Sequence, residues 1–253
     1  LNLRYRGVFG WVTLEARAWR EDVEHFMDFG ADKRFWYGPD SGGPAAPNGM
    51  PCAPASATCA GGMPMNTEST NTGVVLKGSV DLTERDLLRL GAEYQRYRLD
   101  DWWPPSGGGM WPGTFDNIND GTRDRLGLFG EWESHLNTQW LTLLGARYER
   151  VATDAGDVRG YNTAPTAMGN QYVDANTFNA QDRQRTDNNW DLTALARYTP
   201  NVNGDIEFGF ARKVRSPNLY QRYTWSTWSR SVSSRGARTT RRWPRSDTCT
   251  AGC

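Results

Sequence analysis

The sequence predicts an all-β protein and, more narrowly, a fragment of a transmembrane antiparallel β-barrel. Three observations predict it. Several segments alternate apolar and polar residues with period two, which is the strand signature. Short polar turns and long Gly/Pro/Asn-rich loops follow one another along the chain, as in outer-membrane barrels. Aromatic residues make up 12% of the chain beside 27 glycines, a bias typical of β architectures with aromatic belts.

The two faces of the predicted strands differ in chemistry. In "LLRLGAEYQRY", for example, one face consists of Leu88, Leu90, Ala92 and Tyr94, and the other of Arg89, Gly91, Glu93 and Gln95. The predicted polar face, which we expect to line a watery lumen, carries Arg89, Glu93, Arg125, Glu131, Arg147, Glu149, Arg197, Glu207 and Lys213. Aromatic residues at the predicted strand ends are Tyr94, Trp132, Tyr148, Trp190 and Tyr198, the positions of an interfacial girdle.

The alternation predicts about eight strands, joined in turn by short and long connections. Their predicted ranges are 1–6, 11–26, 71–80, 86–99, 122–132, 140–151, 190–198 and 205–215. Short turns lie at 81–86, 134–139 and 200–204, and long loops at roughly 28–70, 100–121 and 152–188. Loops of that length argue against a compact soluble domain but are expected at the extracellular side of an outer-membrane barrel.

Composition excludes several classes of function. Lys+Arg and Asp+Glu balance at 29 each, and no run of apolar residues is long enough for a transmembrane helix. His25 and His135 are the two histidines, which argues against a histidine-based general base or zinc cluster. No spacing brings a nucleophile, a base and an orienting group together, so we do not predict an enzyme. Nucleic-acid motifs are also absent, because basic residues upstream of position 229 alternate with acids.

One segment carries a family resemblance. "FGFARKVRSPNLYQRY" resembles the C-terminal half of TonB-dependent outer-membrane receptors, in which an aromatic strand leads into an arginine-x-proline-x-leucine-tyrosine segment. The matching residues are Arg215, Pro217, Leu219 and Tyr220, whereas Gln221 stands where the family often has an acidic residue. The segments "LLRLGAEYQRYRLDDWW" and "WLTLLGARYERV" resemble barrel strands of the same group.

The resemblance implies that residues 1–228 are part of a receptor barrel of about 22 strands in the bacterial outer membrane. The implied partners are membrane lipid, a plug domain and further strands outside this chain, and the TonB complex that drives import. The implied function is energy-coupled import of a metal or metal complex, copper or a siderophore-type ligand, with no other cofactor. Two alternatives stay open: a small outer-membrane barrel acting as a porin or enzyme, and a soluble aromatic-rich β-sandwich that binds ligands.

The loop "GMPCAPASATCAGGMPM" is a candidate metal site. Its sulfur-bearing residues are Met50, Cys52, Cys59, Met63 and Met65. Thiols and thioethers are soft ligands that select Cu(I), and His25 and Met27 at the end of the preceding strand are placed to join them. The group loosely resembles the TonB-dependent copper receptors, whose sites use methionine sulfur. The alternative is that Cys52 and Cys59 form a disulfide and the methionines are ordinary loop residues; a disulfide remains compatible with thioether ligands.

A second loop is rich in tryptophan. Trp102, Trp103 and Trp111 lie in "DDWWPPSGGGMWPG" and have the ring surface needed to stack on a planar or sugar ligand. The structural alternative, which we favour, is that these rings belong to the membrane girdle or pack the loop on itself.

The last segment, 229–253, breaks the pattern. It holds six arginines without alternation: Arg230, Arg235, Arg238, Arg241, Arg242 and Arg245. Such a segment cannot form a lipid-facing strand. We interpret it as an irregular basic tail, out of frame from about Ser229 or disordered; the alternative is a genuine basic extracellular loop.

Overall fold

A computed structural model describes residues 1–28, 64–105, 110, 113–165 and 171–226 of the chain. In this part of the chain, eight strands form one antiparallel sheet in which every strand pairs with its neighbours in sequence. The strands are β1 (Asn2–Val8), β2 (Thr13–Met27), β3 (Met65–Asp81), β4 (Asp86–Trp103), β5 (Phe115–His135), β6 (Trp140–Asp154), β7 (Arg185–Asn201) and β8 (Gly204–Arg212). Two helices accompany them, α1 (Gln171–Asn179) and α2 (Leu219–Tyr223). The prediction of an all-β antiparallel fold with about eight strands is confirmed.

Several strands are longer than the alternation predicted. β3 begins at Met65 rather than at 71, β4 continues to Trp103 and β5 begins at Phe115, so half of the predicted loop 100–121 is strand. The ladder of backbone hydrogen bonds continues past the point where one face stops being apolar, because backbone pairing does not need an apolar face. The predicted loop 152–188 contains the helix α1, which periodicity missed because only Ala175 and Phe178 of it are buried.

The two ends of the sheet, the short-turn end and the long-loop end, carry connections of different length. Turns of two to four residues join β1 to β2, β3 to β4, β5 to β6 and β7 to β8 at one end. The other three connections meet at the opposite end, where the longest strands also project. No helix among the described residues is long and apolar enough to cross a membrane.

The apolar face of the sheet is uncovered. Leu90, Leu128 and Leu144 near its middle are 51%, 49% and 49% exposed. On β4 this apolar band lies between the charged residues Asp86 and Arg96, ten positions apart. Ten residues of strand measure about 33 Å, or roughly 25 Å in height at a tilt of about 40°, which is the height of the lipid-facing band of an outer-membrane barrel.

The aromatic residues mark the borders of this band rather than the ends of the strands. Tyr94, Tyr148 and Trp190 lie well inside β4, β6 and β7, so their predicted position at strand ends is wrong. Each is the last apolar residue on its face before a polar one. At the opposite border, Trp140 stacks on Tyr198 with 4.7 Å between ring centroids. Aromatic residues at the borders of an apolar band are typical of an interfacial girdle, which follows the edges of a membrane rather than the ends of the strands.

Candidate functional site

The polar face is held together by ion pairs across the strands. Glu93 of β4 pairs with Arg125 of β5 and, at 3.0 Å, with Arg147 of β6. Glu149 closes a four-membered ring, 3.3 Å from Arg147 and 3.6 Å from Arg125. Nearer the turns, Arg89 pairs with Glu131 at 2.6 Å and Arg197 with Glu207 at 2.5 Å. The charges predicted on the polar face therefore stabilise the pairing of neighbouring strands.

A small apolar core forms at the long-loop end, which we call the cap. It combines the outer ends of β4 and β5 with the segment 155–161, α1 and the residues that follow β8. Phe115 lies at its centre, stacked between Trp103 at 5.1 Å and Trp225 at 4.9 Å. The buried members are Leu99, Phe115, Ile118, Ala155, Val158, Tyr161, Ala175, Phe178, Leu219, Tyr223 and Trp225. The largest buried apolar cluster in the described part of the chain thus lies outside the apolar band.

The segment 213–226, which contains the arginine-proline-leucine-tyrosine motif, docks on the polar face and contributes Leu219, Tyr223 and Trp225 to this cap. Leu219 and Tyr223 are 2% and 3% exposed. Arg222 pairs with Asp187 of β7 at 2.6 Å and donates a hydrogen bond to the Thr153 hydroxyl of β6 at 3.1 Å. Leu219, Arg222 and Tyr223 therefore tie this segment to strands that lie earlier in the sequence.

Hydrogen bonds at the start of α2 give residues of the motif segment a structural role. Asn218 caps the helix: its side chain accepts from the Gln221 amide at 2.8 Å, and the Gln221 side chain accepts from the Asn218 amide. Arg215 also donates to the Gln221 side-chain oxygen, at 3.1 Å. Gln221 thus supplies the acceptor that an acidic residue would supply at this position.

Tyr220 joins the motif to β4. Its hydroxyl is hydrogen-bonded to the Asp101 carboxylate, and burial together with that negative charge raises its pKa well above the ordinary value. Asp101 is 6% exposed and also accepts a hydrogen bond from Asn117 at 2.9 Å. The hydrogen bond between Tyr220 and Asp101 thus connects α2 to β4, at a position five residues beyond the border of the apolar band.

Two of the predicted metal ligands face each other. Met27, the last residue of β2, is the register partner of Met65, the first residue of β3, at the long-loop end. His25 precedes Met27 by two residues on the same strand and therefore lies on the same face, the polar one. Met50, Cys52, Cys59 and Met63 lie outside the described residues. In the part of the chain that the structure describes, no three His, Cys, Asp or Glu residues form a group able to hold a metal ion.

Comparison with known proteins decides the family. A family model described as "TonB dependent receptor-like, beta-barrel" matches residues 2–242. The chain belongs to this family. Among solved structures, the chain is similar to one titled "Copper transporter OprC", with a TM-score of 0.55, 14% sequence identity and coverage of 88% of this chain and 31% of that one. The chain thus spans about a third of the length of that protein, and the likeness is one of fold. No curated protein matches the sequence.

The tryptophans of the receptor's second predicted loop have separate positions. Trp103 packs against the cap and stacks on Phe115. Trp102 lies opposite Asp116 on β5, and Trp111 lies outside the described residues, as does the tail 229–253. A ligand-stacking role for Trp102, Trp103 and Trp111 stays a prediction.

Several residues of the receptor that position the motif were not found from sequence. Thr153, Asp187 and Asp101 all fall in or at the edge of segments predicted as loops, although each lies on a strand. Their partners are on α2, more than thirty residues away in each case. Period-two alternation carries no information about such pairs, because it reports faces of single strands and not which later segment covers them.

Proposed function

We propose that this chain is part of an outer-membrane receptor that imports a metal ion, and that the ion is Cu(I) held through methionine sulfur. The whole receptor would use its polar face as lumen wall, its apolar band against lipid, and the TonB complex for energy. The family supports the receptor class, and the observation that carries the metal is the direct opposition of Met27 and Met65.

The opposition places two soft ligands within reach of one ion. Residues directly opposed in an antiparallel pair have Cβ atoms about 4.5–5.5 Å apart, and methionine is long and flexible enough to turn both sulfurs toward a common point. Thioethers and imidazole suit Cu(I), whereas Mg²⁺ and Ca²⁺ need oxygen ligands. Met27 is 45% exposed, so its sulfur is accessible from solvent.

The position of this pair also fits capture from outside. Met27 and Met65 lie at the long-loop end, on the polar face, where a barrel opens to the cell exterior. Met50, Met63 and His25 complete the proposed ligand set, since the chain leads from Met27 through the loop that contains Met50 and Met63 back to Met65. The disulfide between Cys52 and Cys59 is retained as part of the proposal, because it fixes the loop without using the thioethers.

The test is Cu(I) binding to the intact receptor in detergent, measured by competition with a chromogenic Cu(I) chelator. Met27→Leu/Met65→Leu preserves volume and removes both sulfurs, and we expect Cu(I) affinity to fall by at least about tenfold. Met110→Leu is the matched control, because it also exchanges a thioether for leucine, at a residue that packs against the apolar cap. Equal Cu(I) affinity in the double variant and the control would refute the copper assignment but leave the receptor class standing.

A further inference from the structure

Arginines recur on every second strand at one border of the apolar face. This border is the first polar position beyond the apolar band toward the long-loop end. The arginines there, which we call the border row, are Arg20 on β2, Arg96 on β4, Arg150 on β6 and Arg212 on β8. The strands between them, β3, β5 and β7, carry Thr72, Asp124 and Asn188 at the border.

The border row follows the slant that strands have in a membrane. Arg150 lies opposite Leu126, two residues nearer the short turns than the β5 partner of Arg96. Arg212 lies opposite Leu192, four residues nearer the short turns than the β7 partner of Arg150. Strands of transmembrane barrels tilt by roughly 35–45°, so residues at one height step along successive strands in this way. Arg96, Arg150 and Arg212 therefore lie at about one level relative to a membrane plane.

These three arginines are not neutralised by acids among the described residues. Asp124 faces Arg96, but both of its oxygens accept hydrogen bonds from Arg98, at 2.7 and 3.5 Å. Arg150 faces uncharged residues on both neighbouring strands, and so does Arg212 on the one strand that pairs with it. All three side chains are exposed. Their guanidinium donors are therefore available to a partner outside the chain.

An aromatic ring precedes each of these arginines on the same face. The rings are Tyr94 before Arg96, Tyr148 before Arg150 and Phe210 before Arg212, each two residues nearer the middle of the band. Aromatic side chains prefer the boundary between hydrocarbon and lipid head groups. Two residues of strand span about 7 Å, so the guanidinium groups are placed just outside that boundary, at the level of the head groups.

The opposite border of the apolar face differs in charge. Its residues at the short-turn end include Asp86, Ser134, Thr142 and Tyr198. On the eight described strands, no lysine or arginine of the apolar face lies at this end. Long loops lie on the extracellular side of outer-membrane barrels, so the positive charge faces the outer leaflet alone.

Guanidinium groups bind phosphate through parallel charge-assisted hydrogen bonds. We propose that Arg96, Arg150 and Arg212 form an interaction surface for outer-leaflet lipids whose head groups carry phosphate. The acyl chains of such a lipid lie on the apolar band beside the same strands, a contact that a free phosphate ion cannot make. The inference rests on the placement of the apolar band in lipid under the proposed function and is independent of copper.

The test is native mass spectrometry of the intact receptor in neutral detergent, which resolves each bound lipid. The probe is dioleoyl phosphatidic acid, and the lipid control is dioleoylglycerol, which has the same acyl chains without the phosphate. An arginine near an anionic lipid surface contributes about fivefold in affinity. We expect phosphatidic acid to bind at least about tenfold more tightly than dioleoylglycerol, and Arg96→Gln/Arg150→Gln to weaken its binding by about tenfold or more.

Two further variants separate the border row from net charge and from folding. Arg4→Gln/Arg85→Gln removes the same charge from exposed arginines on the polar face and in a short turn, and should leave phosphatidic acid affinity unchanged. Arg96→Lys/Arg150→Lys keeps the charge at the border and should retain most of the affinity.

Equal phosphatidic acid affinity in Arg96→Gln/Arg150→Gln and in Arg4→Gln/Arg85→Gln would overturn the proposal. Displacement of the lipid by an equal concentration of inorganic phosphate would also overturn it, because the free ion would then be the ligand. Equal binding of the two lipids to the wild type would refute the border row and leave the apolar band in lipid. A receptor that binds neither lipid would contradict the membrane placement itself, and with it the proposed function.

Discussion

At the level of single residues, Asp101 makes the docking of the motif segment sensitive to pH. Burial raises the pKa of this carboxyl group, and the hydrogen bonds from Asn117, Tyr220 and Trp103 offset only part of that effect. Because its pKa is higher in the folded state, the folded state holds more protons between the two pKa values. The stability of the docked segment is therefore greatest at low pH and falls as pH rises through that window.

We predict that the free energy of local opening of residues 213–226 falls as pH rises from about 4 upward, the ordinary pKa of an aspartate being about 3.9. Hydrogen exchange, corrected for the intrinsic pH dependence of the exchange rate, measures this opening. In Asp101→Asn the slope should be smaller but not zero, because burial also raises the pKa of Asp116 in the same cap. An unchanged slope in the variant would contradict the role of Asp101.

At the level of strands and helices, alternation predicted what lies inside the apolar band and little beyond it. The polar-face charges of β4 to β7 were predicted and do pair across strands. The ends of β4, β5 and β7 were missed because apolar and polar residues no longer alternate there, and the signal that identifies a strand disappears although its hydrogen bonds continue. Helix α1 was missed for a related reason, since it buries few residues and shows no apolar stripe.

The candidate metal site could likewise be predicted from the sequence only in part. Met27 and Met65 were named from the chemistry of sulfur, and their direct opposition depends on the register between β2 and β3, which composition does not reveal.

The two faces of β5 and β7 allow a direct test of which side meets lipid. Leu128 is in the middle of the apolar band, whereas Thr193 lies on the polar face beside the hollow between Arg147 and Lys213. We predict that Leu128→Arg lowers the free energy of unfolding in lipid by about 2–4 kcal/mol, the cost of an arginine near the bilayer midplane. The same change at the polar face, Thr193→Arg, should alter it by much less. Equal effects on urea unfolding in vesicles would mean that the apolar face does not contact lipid.

At the level of the whole molecule, the apolar band runs obliquely across the sheet. Its border at the long-loop end is marked on each strand by the first polar residue of the apolar face. From β2 to β5 the border does not shift, because the marking residues are direct register partners: Arg20, Thr72, Arg96 and Asp124. It then moves two residues toward the turns between β5 and β6 and four more between β7 and β8, where Arg212 faces Leu192. The border at the short-turn end moves the same way. The first residues of β2, β4 and β6 lie opposite Ser79, Ser134 and Tyr198, respectively. The strands that carry these three partners, β3, β5 and β7, continue past them toward the short turns.

Both borders therefore shift by about one residue for each strand crossed. One residue is about 3.3 Å along a strand and neighbouring strands are about 4.8 Å apart, so a band parallel to the membrane requires strands tilted by about 35° from its normal. That value lies in the range of roughly 35–45° found for transmembrane barrels. The pattern of apolar residues and the hydrogen-bond register, two independent properties of the chain, thus agree with the strand tilt of a transmembrane barrel.

Polarised infrared spectroscopy of the intact receptor in oriented bilayers measures this tilt from the dichroism of the amide I band. We predict a mean strand tilt of about 35–40°, because β1 to β8 share one antiparallel sheet and one slanted band. The same protein in detergent micelles, where the molecules have no common orientation, should show no dichroism and serves as the control. Strands lying parallel to the membrane plane, or a sample with no orientation in bilayers, would be incompatible with an apolar band that spans the membrane.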